Sequence, residues 1–458
     1  MNRYLSSTLL IALLLVASNA FAQEQRTISI QEAIEIALEN NYQLEQARNN
    51  LNLADHQIRS EYADFLPSVN SSFNGSRQVG RRFDEVTGDI TEDASHGISG
   101  SLSANITLFD GFNNINSLRS SQQSKISSEE SFQRAKENTI FNTASNYLQV
   151  LVDTELLDIA RENLENSQQQ LEQVQAQVEV GSRPTVDLYN QEAQVANNEL
   201  QVTQQENNVK FSKLVLVRQL QIDPLGTYEF VVPDAEFETG DIMGKSFELS
   251  ELIDQALLNR SDLKSDIADI RSLEYQLRIA EGSLYPSISG SASISSRYSD
   301  TYRIPAGGSF EDVGFNDQFF DQQINRSFGL SLSIPIFQNW NRMYNIESSR
   351  VQLKNAELNL DNSRLQIIQE VTQAYNDYSS YIKQLEASEK SRRASERAFE
   401  TQQERYNVGS STLIELSQAQ ASYVEAQSNY TQAMYNLIFQ EKLLDYYLGK
   451  LSGDSIDF

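Results

Sequence analysis

Two stretches of the chain carry long helical patterns with no helix-breaking residue inside them. Residues 113–179 and 341–407 each run without Gly or Pro. At 1.5 Å of rise per residue, a helix of that length would measure roughly 100 Å, too long for an ordinary globular domain. Heptad spacing in these helices and in the helix after residue 184 predicts left-handed coiled coils. The seams are Leu157, Ala160, Leu164, Ser167, Leu171, Val174 and Val178; Val186, Tyr189, Ala193, Ala196 and Leu200; and a more polar one, Leu385, Ser388, Arg392, Ser395, Phe399, Gln402 and Tyr406.

A short Val-Gly-Ser motif follows each long stretch. The first copy is Val180, Gly181 and Ser182, and the second is Val408, Gly409 and Ser410. Gly favours the left-handed turn that ends a helix, and Ser favours the cap of the next one. Each copy therefore predicts the tip of a helical hairpin.

Four other segments alternate with period two, which is typical of β-strands. Residues 69–75, 98–108, 287–295 and 327–336 have one apolar face and one face rich in Ser. About ten residues is the length of a transmembrane strand with lipid on one side and water on the other. A soluble, half-buried sheet is the alternative. Pro335 is interpreted as a bulge, because proline cannot donate to a strand ladder.

Aromatic residues cluster where these strands meet the helices, as expected for a membrane-interface girdle. We call the following residues the aromatic girdle: Phe65, Phe109, Phe112, Tyr285, Phe337 and Trp340. Helices are predicted before each strand pair, over residues 27–62 and 247–283, and both end before a proline. Four strands are too few for a closed barrel, and lipid does not tolerate an open sheet edge. Three copies sharing twelve strands would satisfy both conditions.

The two halves repeat each other. The tip glycines are 228 residues apart, whereas Pro67 and Pro286 are 219 apart, so the second half carries a nine-residue insertion between Pro286 and Phe337. The predicted organisation is a first repeat over residues 23–221, a linker over 222–246, a second repeat over 247–451 and a tail over 452–458. The fold class is thus an α+β membrane protein built by tandem duplication.

The amino terminus and the composition restrict location and chemistry. Residues 1–22 have a basic start, a short apolar run and an Ala-Phe-Ala end, which predicts a cleaved signal peptide rather than an anchor helix. The chain has no Cys, so no lipid anchor, disulfide or zinc site is expected. A net charge of −27 disfavours nucleic acid as a partner. The two histidines form no catalytic motif, so we expect no enzyme activity and no cofactor.

The two tips and the strand exits resemble the TolC family of outer-membrane efflux and secretion ducts. The resemblance covers the whole mature chain, and its most specific motif is Tyr406-Asn407-Val408-Gly409 followed by Leu413-Ile414-Glu415-Leu416. It implies a homotrimer with a twelve-stranded barrel in outer-membrane lipid and a periplasmic helical tunnel. It also implies two partners: a periplasmic adaptor that docks on the Val-Gly-Ser tips, and an inner-membrane pump of RND, ABC or MFS type.

The resemblance also assigns residues to the tunnel entrance. An acidic ring would fall on Glu415 and on Asp187, with Gln418 where the family often has a second acid. Arg183 stands two residues after the first tip Gly, but Ser411 takes the corresponding place in the second tip, so Tyr406 becomes the main gate candidate. The implied function is a passive exit duct. A periplasmic coiled-coil adaptor or scaffold is the alternative, disfavoured because adaptors have one hairpin and this chain has two.

Overall fold

The computed structural model describes residues 26–83, 88–231, 247–307 and 309–451. The predicted signal peptide, residues 232–246 of the predicted linker and the tail lie outside these ranges. The chain divides into two compact units. The first comprises residues up to 49, 130–264 and 361 onwards, and the second comprises residues 50–129 and 265–360.

Helices make up most of the first unit. The helices are α1 (Ile30–Asn40), the end of α3 (Asn113–Glu179), α4 (Thr185–Leu220), α5 (Leu249–Asn259), the end of α8 (Asn341–Asn407) and α9 (Leu413–Tyr447). The bounds of α3 and α8 coincide with the two uninterrupted stretches in the sequence. Two short strands, β1 (Arg26–Ile28) and β4 (Tyr228–Phe230), pair in parallel and were too short to be recognised from their pattern.

Tyr147 of α3 ties this strand pair to the helices. Its ring is fully buried, and its hydroxyl donates to the carbonyls of Ile28 at 2.9 Å and Val231 at 2.8 Å. Burial raises the pKa of Tyr147 to about 12. The neutral phenol thus serves as a hydrogen-bond donor at the centre of the apolar core of this unit.

The helices predicted over residues 27–62 and 247–283 are each interrupted once. The first divides at Asn41 into α1 and α2 (Tyr42–Ala63), and the second divides at Arg260 into α5 and α6 (Ser261–Gly282). Asn41 Oδ1 accepts hydrogen bonds from the backbone N–H groups of Gln43 at 2.9 Å and Leu44 at 3.2 Å. Single continuous helices were therefore wrong, because the Asn side chain competes for backbone donors and caps a new helix.

A four-stranded antiparallel sheet dominates the second unit. Its strands are β2 (Ser68–Phe83), β3 (Ile90–Phe109), β5 (Ser287–Ser299) and β8 (Asn325–Ser333), in the order β2-β3-β5-β8. The first two strands have 16 and 20 residues, longer than the ten expected, because their hairpin extends beyond the alternating segment. One face carries the apolar rows and the other carries Ser and Asn, as the alternation predicts.

The nine-residue insertion and Pro335 explain the remaining differences between the predicted and the observed second half of the sheet. Between β5 and β8 lie a small hairpin of β6 (Arg303–Ala306) and β7 (Ser309–Asp312), the short helix α7 (Phe315–Asp317) and a π-helical turn (Gln318–Gln322). The bulge predicted at Pro335 is wrong: β8 ends at Ser333, before the residue that lacks a donor. The sheet does contain an irregularity, between Thr107 and Phe109 of β3.

Candidate functional site

Both hairpin tips lie in the first unit and end their long helices in the same way. Gly181 and Gly409 have φ of +72° and +74°, the left-handed conformation that glycine adopts without penalty. Their N–H groups donate to Val178 and Tyr406, each at 3.0 Å, and the next residue's N–H reaches one residue further back. This paired pattern is the Schellman motif, which uses the last carbonyls of a helix.

The hydroxyl groups of the tip serines bond to the preceding helix and not to the following one. The hydroxyl of Ser182 donates to the Gln177 carbonyl at 2.8 Å, and that of Ser410 donates to the Arg405 carbonyl at 3.1 Å. The prediction that Ser caps the following helix is therefore wrong. Carbonyls at the end of a helix have no partner within it, so a hydroxyl three residues beyond the helix end is within reach of them.

The helix that follows the second tip begins with a capping box. Thr412 Oγ1 accepts from the Glu415 N–H at 3.3 Å, and Glu415 Oε2 accepts from the Thr412 N–H at 3.0 Å. Ser411 Oγ also donates to Glu415 Oε2, at 2.8 Å. These hydrogen bonds lower the pKa of Glu415 from its ordinary value, and the bond from the Thr412 backbone N–H has the largest effect. In contrast, α4 begins after Pro184, which makes no side-chain cap.

Glu415 and Gln418 are exposed side chains at the start of α9. Within this chain the Glu415 carboxylate is engaged in the capping box. Ser411, which takes the place in the second tip that Arg183 has in the first, donates to Glu415 and accepts a hydrogen bond from Gln402 Nε2 at 2.9 Å. It thus takes part in the local network instead of leaving a gap in it.

Tyr406 is the centre of contact between the two tips. Its side chain is only 3% exposed and packs in a cluster with Val174 of α3 and with Leu413 and Leu416 of α9. We call these four residues the Tyr406 cluster. The tyrosine hydroxyl is also buried and has no hydrogen-bond partner among the described residues. The last turn of α8 is therefore held against the end of α3 by apolar packing.

Arg183 of the first tip covers this cluster. Its guanidinium carbon lies 4.2 Å from the centre of the Tyr406 ring, within the range of a cation–π interaction. The same side chain lies 3.7 Å from the Asp187 carboxylate. Burial raises the pKa of Tyr406, Arg183 lowers it and Asp187 raises it again. Three of the predicted gate residues are thus brought together, while Glu415 and Gln418 lie on the exposed surface.

The outermost residues of the tips are apolar and exposed. Val180 and Val408 are 80% and 78% exposed, and space around both tip glycines is open to 4 Å. The glycines are therefore required by the turn and not by a close neighbour. Exposed apolar side chains beside free backbone make a suitable surface for a partner.

The predicted seams are confirmed on α3 and α8 and wrong on α4. On α4 the apolar row that includes Val186, Tyr189 and Leu200 is exposed. The buried row is a different one and mixes polar with apolar residues, because Gln191, Val195 and Asn198 follow one another along it. Gln191 Nε2 donates to the Ser167 carbonyl at 2.9 Å, so a polar side chain with a partner occupies the interface.

The aromatic girdle lies in the second unit, at the junctions between strands and helices. Phe109 and Phe112 meet edge to face with centroids 5.2 Å apart, and Phe112 has φ of +68°. In the second half Trp340 has φ of +62°, at the position that the repeat pairs with Phe112. Bulky residues rarely adopt this conformation, so both junctions hold an aromatic ring in a strained turn. Apart from Phe109, the girdle residues are exposed.

Among the residues that the structure describes, none of the helices is both long and apolar enough to span a membrane.

Two helical hairpins with paired tips and a four-stranded sheet define a TolC-like channel protein. A family model described as outer membrane efflux protein matches the chain twice, over residues 33–220 and 252–450. The chain therefore belongs to the outer membrane efflux protein family. The double match also fits the internal repeat. Family membership shows that the chain is an outer-membrane efflux channel, which is not an enzyme. The alternative prediction, a periplasmic adaptor or scaffold, is therefore wrong.

Individual relatives and structures agree. The chain is 21% identical over 449 residues to the outer membrane efflux protein BepC of Brucella suis, covering 97% of this chain and 90% of the relative. It is 22% identical over 455 residues to the outer membrane protein TolC of Salmonella enteritidis, covering 98% and 87%. The fold matches the CmeC outer membrane channel of Campylobacter jejuni with a TM-score of 0.78 at 18% identity, covering 93% and 87%.

Proposed function

We propose that three copies of this chain form one continuous exit duct, with a twelve-stranded barrel in the outer membrane and a helical tunnel in the periplasm. The observation that carries this proposal is the open sheet. Strands β2 and β8 are its edges, and the apolar side chains of Phe328, Leu330 and Leu332 are largely exposed. Open edges are costly in lipid, so a sheet of this kind requires neighbours that pair with both edges.

Exposed apolar residues on α4 support the same assembly. Val186, Tyr189 and Leu200 are exposed at heptad spacing, and Phe211 and Leu214 continue the exposed apolar surface along the helix. Heptad rows of this kind pack against another helix. Because a different row of α4, which contains Gln191, already packs against α3, we assign the exposed apolar row to a helix of a neighbouring copy.

The paired tips supply the closing device of the duct. Arg183 and the Tyr406 cluster join the first tip to the second within one chain, so outward movement of the second hairpin must separate Tyr406 from Val174. In the trimer, three copies of Glu415 at the aperture would repel one another and favour cations over anions. The duct itself is passive: it offers polar solutes an aqueous path past lipid, where burial of polar groups is costly.

A periplasmic adaptor that serves an inner-membrane pump is the proposed partner of the tips. Val180 and Val408 would enter its apolar contacts, and the open backbone beside Gly181 and Gly409 would allow close approach. Docking there would act directly on the contact between the two tips. The adaptor would thereby couple pump engagement to opening.

Substitution of a tip glycine tests this function. Gly409→Trp places a bulky side chain over the turn and imposes about 1 kcal/mol or more of left-handed strain. We expect efflux in cells to be lost while assembled protein remains in the outer membrane. Gly307→Trp is a matched control, because Gly307 also has positive φ (+57°) and open space but lies in the β6–β7 turn. Full efflux by Gly409→Trp would contradict docking at the tips.

A further inference from the structure

The segment before β8 folds back onto the apolar face of the sheet. Helix α7 continues directly into the π-helical turn, and the ring of Phe319 lies over Gly100 of β3. A Cβ atom built on Gly100 would meet the Phe319 ring at 2.9 Å and the Phe73 ring at 2.8 Å. Gly100 therefore leaves a notch in the strand that two aromatic rings fill. Ser296 of β5 donates its hydroxyl to the Phe319 carbonyl.

The register places this contact on one defined face. Phe73, Gly100 and Ser296 stand opposite one another across β2, β3 and β5. Two residues away along β5, Tyr298 meets Phe315 edge to face at 5.3 Å, and Phe315 stacks on Phe319 at 5.2 Å. We call Phe315, Phe319, Phe320 and Tyr298 the rim aromatic cluster. It lies on the face that carries the apolar rows and not on the serine face.

A buried amide fixes the turn in place. Gln318 is 1% exposed, and its Nε2 donates to the carbonyls of Val313 at 2.7 Å and Ser299 at 3.0 Å. Its Oε1 accepts from the Ser299 N–H at 3.0 Å. These bonds use both amide hydrogens and the oxygen of the side chain and join the turn to the end of β5. The π-helical geometry is rare and occurs frequently at functional positions.

The position of the rim aromatic cluster matches the thickness of a membrane. Gly100 is nine residues from Phe109 of the aromatic girdle on the same strand, which is about 30 Å at 3.3 Å per residue. At a strand tilt of about 40° this corresponds to about 23 Å along the membrane normal, close to the 25 Å apolar band of outer-membrane barrels. Beyond the cluster the β2–β3 hairpin becomes charged, with Arg77, Arg81 and Glu92.

A second copy of the chain does not explain this surface. The cluster lies over β3 and β5, which are the central strands, whereas neighbours in a barrel would join at β2 and β8. Phe320 is nevertheless 65% exposed, and the charged residues Asp317, Asp321 and Arg326, which are near it in the sequence, are exposed as well. An apolar aromatic surface bordered by charge is typical of the boundary between lipid tails and water.

We propose that the rim aromatic cluster is a lipid-binding surface that inserts into the acyl chains of the outer leaflet and anchors the extracellular end of the sheet. It forms a second aromatic belt, built by a folded turn instead of by the strands themselves. The inference rests on the proposed function, because it takes the apolar face of the sheet to be the lipid face.

Depth measurement with spin labels tests the proposal. The chain has no Cys, so Phe320→Cys, Leu330→Cys and Phe310→Cys can each carry one nitroxide in the full chain. The proteins are reconstituted in phosphatidylcholine vesicles, and collision of the label with oxygen is compared with collision with a nickel chelate. The label at residue 320 should favour oxygen several-fold over the label at residue 310, an exposed residue of the β6–β7 hairpin that is expected in water.

The three labelled positions distinguish failure of the lipid-binding surface from failure of the proposed lipid face of the sheet. If residue 330 lies in lipid and residue 320 in water, the lipid-binding surface is refuted while the barrel stands. If residue 330 also lies in water, the proposed lipid face and this inference both fail. Gln318→Ala in the Phe320→Cys chain should increase label mobility and collision with the nickel chelate, because the turn loses its three hydrogen bonds. Unchanged spectra would contradict the anchoring of the turn by Gln318.

Discussion

Two substitutions at Tyr406 separate the contribution of its ring from that of its hydroxyl. The ring is nearly fully buried in the Tyr406 cluster, and Arg183 lies 4.2 Å from its centre. Tyr406→Ala removes this packing, and truncation of a buried aromatic residue costs about 3–5 kcal/mol. The lost cation–π contact accounts for about 1 kcal/mol of that total. The contact between the two tips should therefore weaken strongly.

The conservative substitution should behave differently. The Tyr406 hydroxyl is buried without a hydrogen-bond partner among the described residues. A buried unsatisfied hydroxyl costs about 1–3 kcal/mol, so its removal in Tyr406→Phe should leave the closed contact equally stable or make it more stable. The free-energy difference between the two variants should thus be at least about 3 kcal/mol.

Hydrogen exchange and conductance measure this difference. Peptides that cover residues 400–416 should exchange much faster in Tyr406→Ala than in the parent, and its channels in planar bilayers should conduct more. Tyr406→Phe should match the parent or exchange more slowly. Equal exchange and conductance in the two variants would refute closure by ring packing, and opening by Tyr406→Phe alone would show that the hydroxyl has a partner in the assembly.

Three further substitutions test other parts of the site. Thr412→Ala removes the N-cap of α9 and should cost about 1 kcal/mol in local exchange at the start of that helix, whereas Thr412→Ser should not. Glu415→Gln keeps an acceptor that can complete the capping box but loses the charge, so it should lower cation preference at low salt and loosen the tip only as far as protonation of Glu415 does in the parent; unchanged selectivity would remove Glu415 from the aperture. Because the pKa of Glu415 lies below its ordinary 4.5, the charge-assisted part of the cap is fully present above pH 4.5 and is lost as the pH falls through the lowered value, so protection at residues 412–416, corrected for the intrinsic exchange rate, should fall there in the parent. Arg260→Ala leaves Glu370, which Arg260 contacts at 2.6 Å, without its partner and should lower thermal stability by about 3 kcal/mol; an unchanged melting temperature would show that the pair is dispensable.

The repeated pattern of the sequence predicts the helices and strands well because each is long and strongly periodic. The bounds of α3 and α8 follow from the absence of Gly and Pro, and the tips follow from Gly181 and Gly409. What pattern could not predict depends on side-chain hydrogen bonds. Asn41 divides a helix by accepting from its backbone, and Gln191 replaces an apolar residue at the seam of α4.

The candidate site, too, was predictable from sequence patterns only in part. The Val-Gly-Ser motif indicates the turn, but the direction of the serine hydroxyls depends on which carbonyls are left free. Tyr406 and Arg183 were predicted as gate residues without their mutual contact, which joins residues more than two hundred positions apart. The fold of the π-helical turn follows from the buried amide of Gln318, and no periodicity of the sequence indicates it.

The mass of the assembled protein tests the central claim most directly. The sheet has four strands and two open edges in one chain, so a barrel in the outer membrane requires copies that complete it. Native mass spectrometry of the protein extracted from the outer membrane in mild detergent should give one species with three chains. A single-chain species that remains folded and soluble under these conditions would contradict the shared barrel and, with it, the proposed duct.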